Sequence, residues 1–515
     1  MSRCASWLNM SMLAQVHSFV LQGIDPVACE VEVDIADKGL PKTTIVGLPD
    51  TAVKESIERV RSAITNSGFP FPMSRLLVNL APADIRKEGP IFDLPIAIGL
   101  LLATNVIQSQ THKRLLFAGE LALDGRLRPI NGVINLALLA KQLKLDGVVV
   151  PMDNASEAAA VGDINVYPAD SLSSVIGFLN ETHELEPHCE IDVERLLIEE
   201  QTAIDFADIK GQEAAKRAML VAAAGAHNIL MIGPAGSGKT MMARAMAGVL
   251  PPLSRDEALD VTRIYSSVGL VPKGQPILTQ RPVRSPHHTA SSVAMIGGGT
   301  IPRPGEVSLA HHGILFLDET PEFPRQVLET LRQPLEDGKV TIARSHSSIA
   351  FPSRFMLVAA MNPTPKGDKP TDDVSQREMD RYLAKLSGPL IDRIDIHVEV
   401  PPVPFTQLSN QRDGTDSKSM RNTIVNARQK QIKRNGGPLK PNSTLSGREL
   451  NTIAAMDGPT TELIRQAMNE LNLSARAYDK IRRVSRTIAD VEGSEEITIQ
   501  HVAEAIQYRL LDRAR

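Results

Sequence analysis

The octapeptide GPAGSGKT, from Gly233 to Thr240, holds the densest chemistry in the sequence. A glycine, four residues and then Gly-Lys-Thr is the spacing of a loop that wraps phosphate. Gly233, Pro234, Ala235, Gly236, Ser237 and Gly238 can curl backbone N–H groups around phosphate oxygens, and a helix starting there adds its partial positive charge. Lys239 is then placed to reach the β- and γ-phosphates of a nucleoside triphosphate, and Thr240 to hold Mg²⁺. The flanks agree. HNILMI before the loop reads as a buried strand, and KTMMARAMAGVL after it reads as a helix.

Two further segments could complete such a site. GILFLDE, Gly313 to Glu319, is an apolar strand ending in two carboxylates. Asp318 is the candidate for orienting the water shell of a metal, and Glu319 for polarising an attacking water. FMLVAAMNP places Asn362 at the tip of another apolar strand, where a carboxamide can hold water or the γ-phosphate without adding charge. Taken alone, Asn-Pro at a strand end is more often a turn. The succession of phosphate loop, acidic strand and Asn-tipped strand resembles the AAA+ ATPases, and that order favours the functional reading.

Two arginines extend the resemblance. LSGPLIDRIDI carries Arg393 and LSARAYDKIRRVSRTIAD carries Arg476. In AAA+ proteins similar motifs supply an arginine finger to a neighbouring subunit's γ-phosphate and a sensor arginine from the lid, which implies a ring. The structural alternative for Arg393 is a salt bridge to Asp392 or Asp395. For Arg476 it is the solvated face of a helix whose buried stripe is Leu473, Ala477, Ile481, Val484 and Ile488.

The rest of the chain must position these residues. Its 515 residues leave room for about three or four domains. A content of 42% hydrophobic and 23% charged residues is that of a soluble globular protein. Cys4, Cys29 and Cys189 are scattered, offering neither a disulfide framework nor a metal cluster, as in a protein of the reducing cytoplasm. The longest apolar run, LPIAIGLLLA, is too short to cross a bilayer, and the N-terminus lacks the features of a signal peptide, so no membrane association is expected. A net charge of −4 gives no global nucleic-acid footprint, so any DNA contact must come from a local patch.

Residues 12–180 alternate strands and helices; EVEVDIA puts Val31, Val33 and Ile35 on one face of a half-buried strand. An acidic connector, 181–205, leads to the motif-bearing segment 206–400. A polar linker, 401–420, precedes a helical segment, 421–515.

Over nearly its whole length the chain resembles the YifB/ComM family of magnesium-chelatase-like AAA+ ATPases. The matching blocks include VEVDIADKGLPKTTIVGLPDTAVKES, NLAPADIRKEGPIFDLPIAIG, RPVRSPHHTAS, IPRPGEVSLAHHGILFLDE and LSARAYDKIRRVSRTIAD. The resemblance implies an α/β multidomain protein: a Lon-protease-like α/β N-terminal domain, an AAA+ P-loop NTPase core with a parallel sheet and flanking helices, and an α-helical C-terminal lid. It begins near Met12, so residues 1–11 are expected to be a non-structural extension. ATP and Mg²⁺ are the implied cofactors and a homo-hexamer the implied assembly.

The same resemblance identifies two departures. Where Lon-type proteases hold a serine nucleophile and a lysine base, this chain has Ile91, in KEGPIFDLP, and Ile134. Neither can attack a carbonyl or accept a proton, so no proteolysis is expected. Many family members also carry paired cysteines suited to zinc. Here Thr364, Lys366, Asp372 and Val374 stand at those places, so no zinc is expected.

The substrate is less legible. GKVTIARSHSSIAFPSRF, 338–355, reads as a hairpin inserted in the core, with Lys339, Arg344 and His346 able to meet a phosphate backbone. A second insertion, 281–304, offers Arg281 and Arg284. Segment 411–440 is rich in Lys and Arg, which is a DNA footprint or a solvated helix face. The pairs His287–His288 and His311–His312 are expected to point to opposite sides of a strand and to serve packing, nucleotide relay or substrate contact rather than metal. Two function classes follow from the resemblance: a ring motor on single-stranded or branched DNA, working in recombination or DNA uptake, or a remodelling ATPase acting on a protein partner reached through the N-terminal domain.

Overall fold

The computed structural model describes residues 13–36, 40–198, 204–343, 348–364, 382, 385–404, 415–438, 440–471, 473–509 and 511. They form two compact units. One takes Met1–Val193 with Ala258–Leu278, and the other Glu194–Glu257 with Thr279–Arg515.

In the first unit, strands β1 (Leu13–Gln22), β2 (Asp25–Ala36) and β3 (Lys42–Val46), helix α1 (Thr51–Asn66), strand β4 (Arg75–Ala81) and helix α2 (Asp93–Ala103) form one layer pair. The sheet order is β1-β2-β4-β3. Val31, Val33 and Ile35 are buried, as the alternation of EVEVDIA predicts, and share a core with Ile57, Val60 and Ile64 of α1. The turn KEGPIFDLP is pinned by an ion pair: buried Asp93 accepts from Arg59 Nε at 2.8 Å and Nη2 at 3.0 Å. Burial pushes the Asp93 carboxyl pKa up, against the pull of Arg59.

The chain continues through β5 (Leu115–Phe117), α3 (Val133–Gln142), β6 (Gly147–Pro151), β7 (Asn165–Ala169) and α4 (Leu172–Leu179). Strands β5, β6 and β7 form a parallel sheet in that order. Ile134 is fully buried in an apolar cluster with Val148 and Val166, and Ile91 packs against the same cluster.

The second unit is built on a five-stranded parallel sheet. From residue 213 the elements run α5 (Glu213–Gly225), β8 (Ile229–Ile232), α6 (Lys239–Val249), α7 (Arg255–Ser267, most of which belongs to the first unit), β9 (Val283–Arg284), β10 (Ile314–Leu317), β11 (Lys339–Ala343), β12 (Ser348–Pro352), β13 (Met356–Met361) and β14 (Ile396–Glu399). The sheet order is β9-β10-β13-β8-β14, while β11 and β12 pair as a separate antiparallel hairpin. Side chains alternate between two cores. Met356, Val358 and Ala360 enter one cluster, and Leu357, Ala359 and Met361 enter the other. Such a sheet is covered on both faces, which is why its strands read as continuous apolar runs.

Helices α8 (Ser417–Asn435), α9 (Gly458–Glu470), α10 (Ala475–Glu492) and α11 (Ile499–Gln507) follow. Ile424, Ile464, Ile481, Val484, Ile488 and Val502 join the cluster on one face of the parallel sheet. The expected stripe of α10, Leu473 through Ile488, is buried as its spacing predicts.

One grouping differs from the sequence segmentation. Residues 258–278 lie between the phosphate loop and the acidic strand in sequence, yet they belong to the first unit. There Gly132 N–H donates to the Ser266 carbonyl at 3.1 Å, Arg263 Nε donates to Asn135 Oδ1 at 3.0 Å, and the Ser266 hydroxyl donates to Glu157. Buried Glu157 is thereby satisfied, although burial still pushes its pKa up. The sequence carries no composition break at either end of this segment, so only the packing exposes it.

Candidate active site

Strand β8 delivers the chain into GPAGSGKT between β13 and β14. Gly233 is required sterically: a Cβ there would sit 2.1 Å from the Val400 carbonyl oxygen. Gly236 and Gly238 have φ of +76° and +92°, and a Cβ at either would meet nothing within 4 Å. The loop therefore turns left-handed and leaves its open side to a ligand. Helix α6 begins at Lys239, so its unpaired N–H groups and positive end face the same concavity. The Ser237 hydroxyl is buried without a hydrogen-bond partner among the described residues, as suits a donor held for phosphate.

Lys239 is buried and already oriented. Its Nζ donates to the carbonyls of Gly233 at 2.7 Å and Pro234 at 2.8 Å, and to Asn362 Oδ1 at 3.2 Å. Burial pushes the Lys239 pKa down, while Asp318 and Glu319 raise it. Thr240 Oγ1 donates to Asp318 Oδ2 at 2.7 Å, and Asp318 Oδ1 accepts the Glu319 N–H at 3.0 Å. The hydroxyl–carboxylate pair is an all-oxygen set of the kind Mg²⁺ selects. Strand order explains the meeting. Strand β13 lies between β8 and β10, so Asn362, Lys239 and Asp318 emerge at neighbouring strand ends. The loop, the acidic tip and the asparagine are thus assembled as one constellation.

The comparisons with known proteins match this architecture in three consecutive blocks. The family described as magnesium chelatase, subunit ChlI, matches residues 205–408; subunit ChlI of Mg-chelatase matches 31–154; and the ChlI C-terminal family matches 414–509. The protein named competence protein ComM from Haemophilus influenzae is 44% identical over 97% of this chain and 98% of its own length. The protein named YifB from Salmonella typhimurium is 42% identical, with 97% and 98% covered. The chain belongs to the ComM/YifB family of magnesium-chelatase-like AAA+ proteins. The magnesium-chelatase 38 kDa subunit of Rhodobacter capsulatus is a more distant relative, 28% identical over 38% of this chain and 55% of that one. Membership of this AAA+ family implies use of ATP and Mg²⁺, which the residues at the phosphate loop fit.

Among the described residues, neither Arg393 nor Arg476 hydrogen-bonds to the phosphate-loop set. Arg393 Nη1 donates to the Pro389 carbonyl at 2.6 Å, and its Nη2 donates to Glu336. The expected alternative partners, Asp392 and Asp395, are not used. Asp395 instead pairs with Lys480 at 3.3 Å and His227 at 3.5 Å. Glu336 also feels Arg476 and Arg332; Arg393 first, and then these two, hold its carboxyl below the usual range despite slight desolvation. Arg476 is exposed at the second position of α10, next to the N-cap Ser474. The pairing of Arg393 with Glu336 has no signature in the sequence, because nothing local distinguishes Glu336 from any other helix-end glutamate.

The expected substrate contacts divide three ways. Lys339 is exposed at the start of the β11–β12 hairpin, in register with Pro352, whereas Arg344 and His346 lie outside the described residues. Arg281 is turned inward, contrary to a DNA-facing role. Its guanidinium donates to Glu257 Oε2 at 2.8 Å and to the carbonyls of Pro251 and His312, each at 2.6 Å. Arg284 forms a bidentate pair with Glu306 at 2.6 and 2.8 Å. The basic segment is thinned in the same way. Arg428 donates to the Ala223 carbonyl at 3.0 Å, Arg434 clasps Asp490 at 2.7 Å, and Lys440 meets Glu449 at 2.6 Å. Burial brings Arg428 down to about 10. Lys418, Lys430 and Lys433 remain exposed, and Arg412 lies outside the described residues. Lys366, Asp372 and Val374 also lie outside them, while Thr364 is buried.

The histidine pairs correct an expectation. They lie outside strands, so adjacent rings approach each other at a tilt instead of diverging. Ring centroids are 4.1 Å apart for His287–His288 and 3.9 Å for His311–His312. His288 Nδ1 lies 3.8 Å from Glu319 Oε2.

Proposed function

We propose that this chain is an ATP-hydrolysing ring motor acting on single-stranded or branched DNA. The observation that carries the reading is the joined set Lys239–Asn362 and Thr240–Asp318, an arrangement whose parts fit phosphoryl transfer and little else. In this reading residues 233–238 cradle the phosphates, Lys239 neutralises the β- and γ-oxygens, and Thr240 with Asp318 holds Mg²⁺. The metal would neutralise charge on the bridging phosphate oxygens. Glu319 orients and deprotonates the attacking water, and Asn362 holds that water or the γ-phosphate. Arg393 and Arg476 act on the nucleotide of a neighbouring subunit in a homo-hexamer; Arg393 bonds Glu336, and neither arginine bonds its own phosphate loop among the described residues.

The domain reading goes with it. Residues 12–180 form a Lon-protease-like domain in which Ile91 and Ile134 replace the dyad. Both pack on one apolar cluster, where a charged lysine would be costly. Residues 206–400 are the ATPase core and 421–515 the lid. No zinc is assigned, and the cytoplasm is the proposed location; among the described residues no helix is long and apolar enough to cross a membrane.

The DNA assignment draws on the exposed Lys339 at the base of the hairpin and on the relative named as a competence protein. The test is steady-state ATP turnover with no DNA, with single-stranded DNA and with a four-way junction, using Lys239→Ala as the blank. Stimulation by DNA that fades at high salt supports the motor. Turnover indifferent to every DNA overturns it in favour of a protein substrate.

A further inference from the structure

We propose that Asn228 is a positioning residue for Arg393, its carboxamide fixing the arginine's turn to the strand that carries Asn362. The inference rests on the reading of Arg393 given above and names what holds that arginine in place.

Asn228 is the residue before β8, and two neighbouring segments meet on its side chain. Its Oδ1 accepts the Leu357 N–H of β13 at 2.9 Å, and its Nδ2 donates to the Arg393 carbonyl at 3.0 Å. These partners fix the orientation of the amide, since an N–H must face the oxygen and a carbonyl must face the NH₂. The backbone joins the same group. Asn228 N–H donates to Asp395 Oδ2 at 3.2 Å, and its carbonyl accepts the N–H groups of Asp395 at 2.9 Å and Ile396 at 3.0 Å. A short carboxamide suits this place because one planar group must offer a donor and an acceptor to two different segments.

Position decides what the bridge serves. Strands β8 and β14 run parallel, so Asn228 and Arg393 both lie at the strand ends opposite the phosphate loop. The four residues of β8 put about 13 Å between Asn228 and that loop, too far to touch a nucleotide there. Strand β13 does not depend on the bridge either. It is paired with β10 on one side and β8 on the other, and Met356 to Met361 are all buried. One lost rung at its start therefore leaves Asn362 in place. The two residues after Arg393 are clamped from elsewhere. The Ile394 carbonyl accepts from Lys480 Nζ at 2.9 Å and Arg509 Nη1 at 2.8 Å, and Asp395 pairs with Lys480. Asn228 holds the carbonyl of Arg393 itself, while the guanidinium is held by Pro389 and Glu336. Without the carboxamide the peptide plane at Arg393 is free to rotate and carries the base of the side chain with it. A misplacement of about 1 Å at a catalytic group costs about a hundredfold in rate.

The experiment compares wild type, Asn228→Ala, Arg393→Ala and the double variant in the full chain by steady-state ATP turnover, each alone and mixed with Lys239→Ala subunits. Asn228→Ala is expected to lower kcat about ten- to a hundredfold while KM stays within about twofold. Lys239→Ala subunits should restore part of that rate, since they bring an intact arginine and lack only a site of their own. The double variant should be no slower than Arg393→Ala, because a misplaced arginine and a missing one are the same defect. Wild-type kcat in Asn228→Ala, a loss that Lys239→Ala subunits do not rescue, or losses that multiply in the double variant each overturn the proposal. If Asn228→Ala melts early, Asn228→Asp takes its place. It keeps the size and the acceptor for Leu357 and loses only the donor to Arg393, so the same loss and rescue are expected. If Arg393→Ala is not rescued, the reading of Arg393 fails and the proposal with it. If Arg393→Ala is rescued and Asn228→Ala is not, only the role of Asn228 falls.

Discussion

The hydroxyl of Thr240 donates to the carboxylate of Asp318 at 2.7 Å, joining the first turn of α6 to the end of β10. The bond holds two oxygen donors together at the place where Mg²⁺ would be shared with the nucleotide. Thr240→Ala removes one oxygen ligand and leaves Asp318 Oδ2 without the hydroxyl, although Oδ1 keeps the Glu319 N–H. Turnover at saturating ATP should fall by at least about a hundredfold, since metal-assisted charge stabilisation is worth several kcal/mol. Titration with Mg²⁺ checks this: higher Mg²⁺ should recover part of the loss.

Glu319→Gln should separate binding from hydrolysis. The carboxamide keeps the size of the side chain but cannot take a proton, and the phosphate loop is untouched. A fluorescent ATP analogue should bind as it does to wild type, while phosphate release falls by about a hundredfold or more. Loss of binding together with hydrolysis would show that Glu319 supports the loop and not the water.

Arg393 bonds Glu336 and not its own phosphate loop, and Arg476 adds to the positive field that lowers the Glu336 carboxyl. On the proposed role of an arginine finger, Arg393→Ala should lower turnover by about a thousandfold or more. Mixing it with Lys239→Ala subunits should restore part of the rate, because each defect then lies in a different chain. The same rescue is expected for Arg476→Ala. Rescue of Arg393 without rescue of Arg476 would place the second arginine at its own subunit's nucleotide.

Asp395 and Lys480 join the end of the parallel sheet to α10, and both are buried. Lys480 Nζ also donates to the Ile394 carbonyl at 2.9 Å. Burial opposes the charge on Asp395, but Lys480 and His227 override it and hold its carboxyl well below the ordinary range. Lys480→Met should destabilise the second unit by about 3–5 kcal/mol at neutral pH, because it strands a buried carboxylate. A folded-state pKa below the unfolded one stabilises above about pH 4 and is lost as pH falls further. The gap between wild type and Lys480→Met should therefore narrow below about pH 4, measured by urea unfolding followed by circular dichroism.

Much of the site was legible because its signals are local. GPAGSGKT needs glycine where Val400 presses on Gly233 and where the loop turns left-handed, so the pattern survives as a string. Strands β10 and β13 are buried on both faces, which makes them unbroken apolar runs with Asp318, Glu319 and Asn362 at their tips. The stripe of α10 and the alternation of β2 follow from helix and strand periodicity in the same way.

Pairings between distant residues had no such signature. The basic count of segment 411–440 could not show that Arg428 and Arg434 turn inward, nor could the sequence of 281–304 show Arg281 spanning Glu257 and two carbonyls. The histidine pairs read as strand residues, yet they lie outside strands and their rings approach at a tilt. Arg393 had two carboxylates close by in sequence and took Glu336, 57 positions away, because packing brings the end of the short helix Arg332–Asp337 to it. The sequence by itself determined the phosphate loop, its acidic and amide companions and the helical and strand faces, since each depends on neighbours a few residues away. The tertiary structure alone decided which charged side chains are satisfied internally and which stay free for a ligand. That outcome depends on where the chain's distant segments meet, and on the cost of leaving any buried charge without a partner.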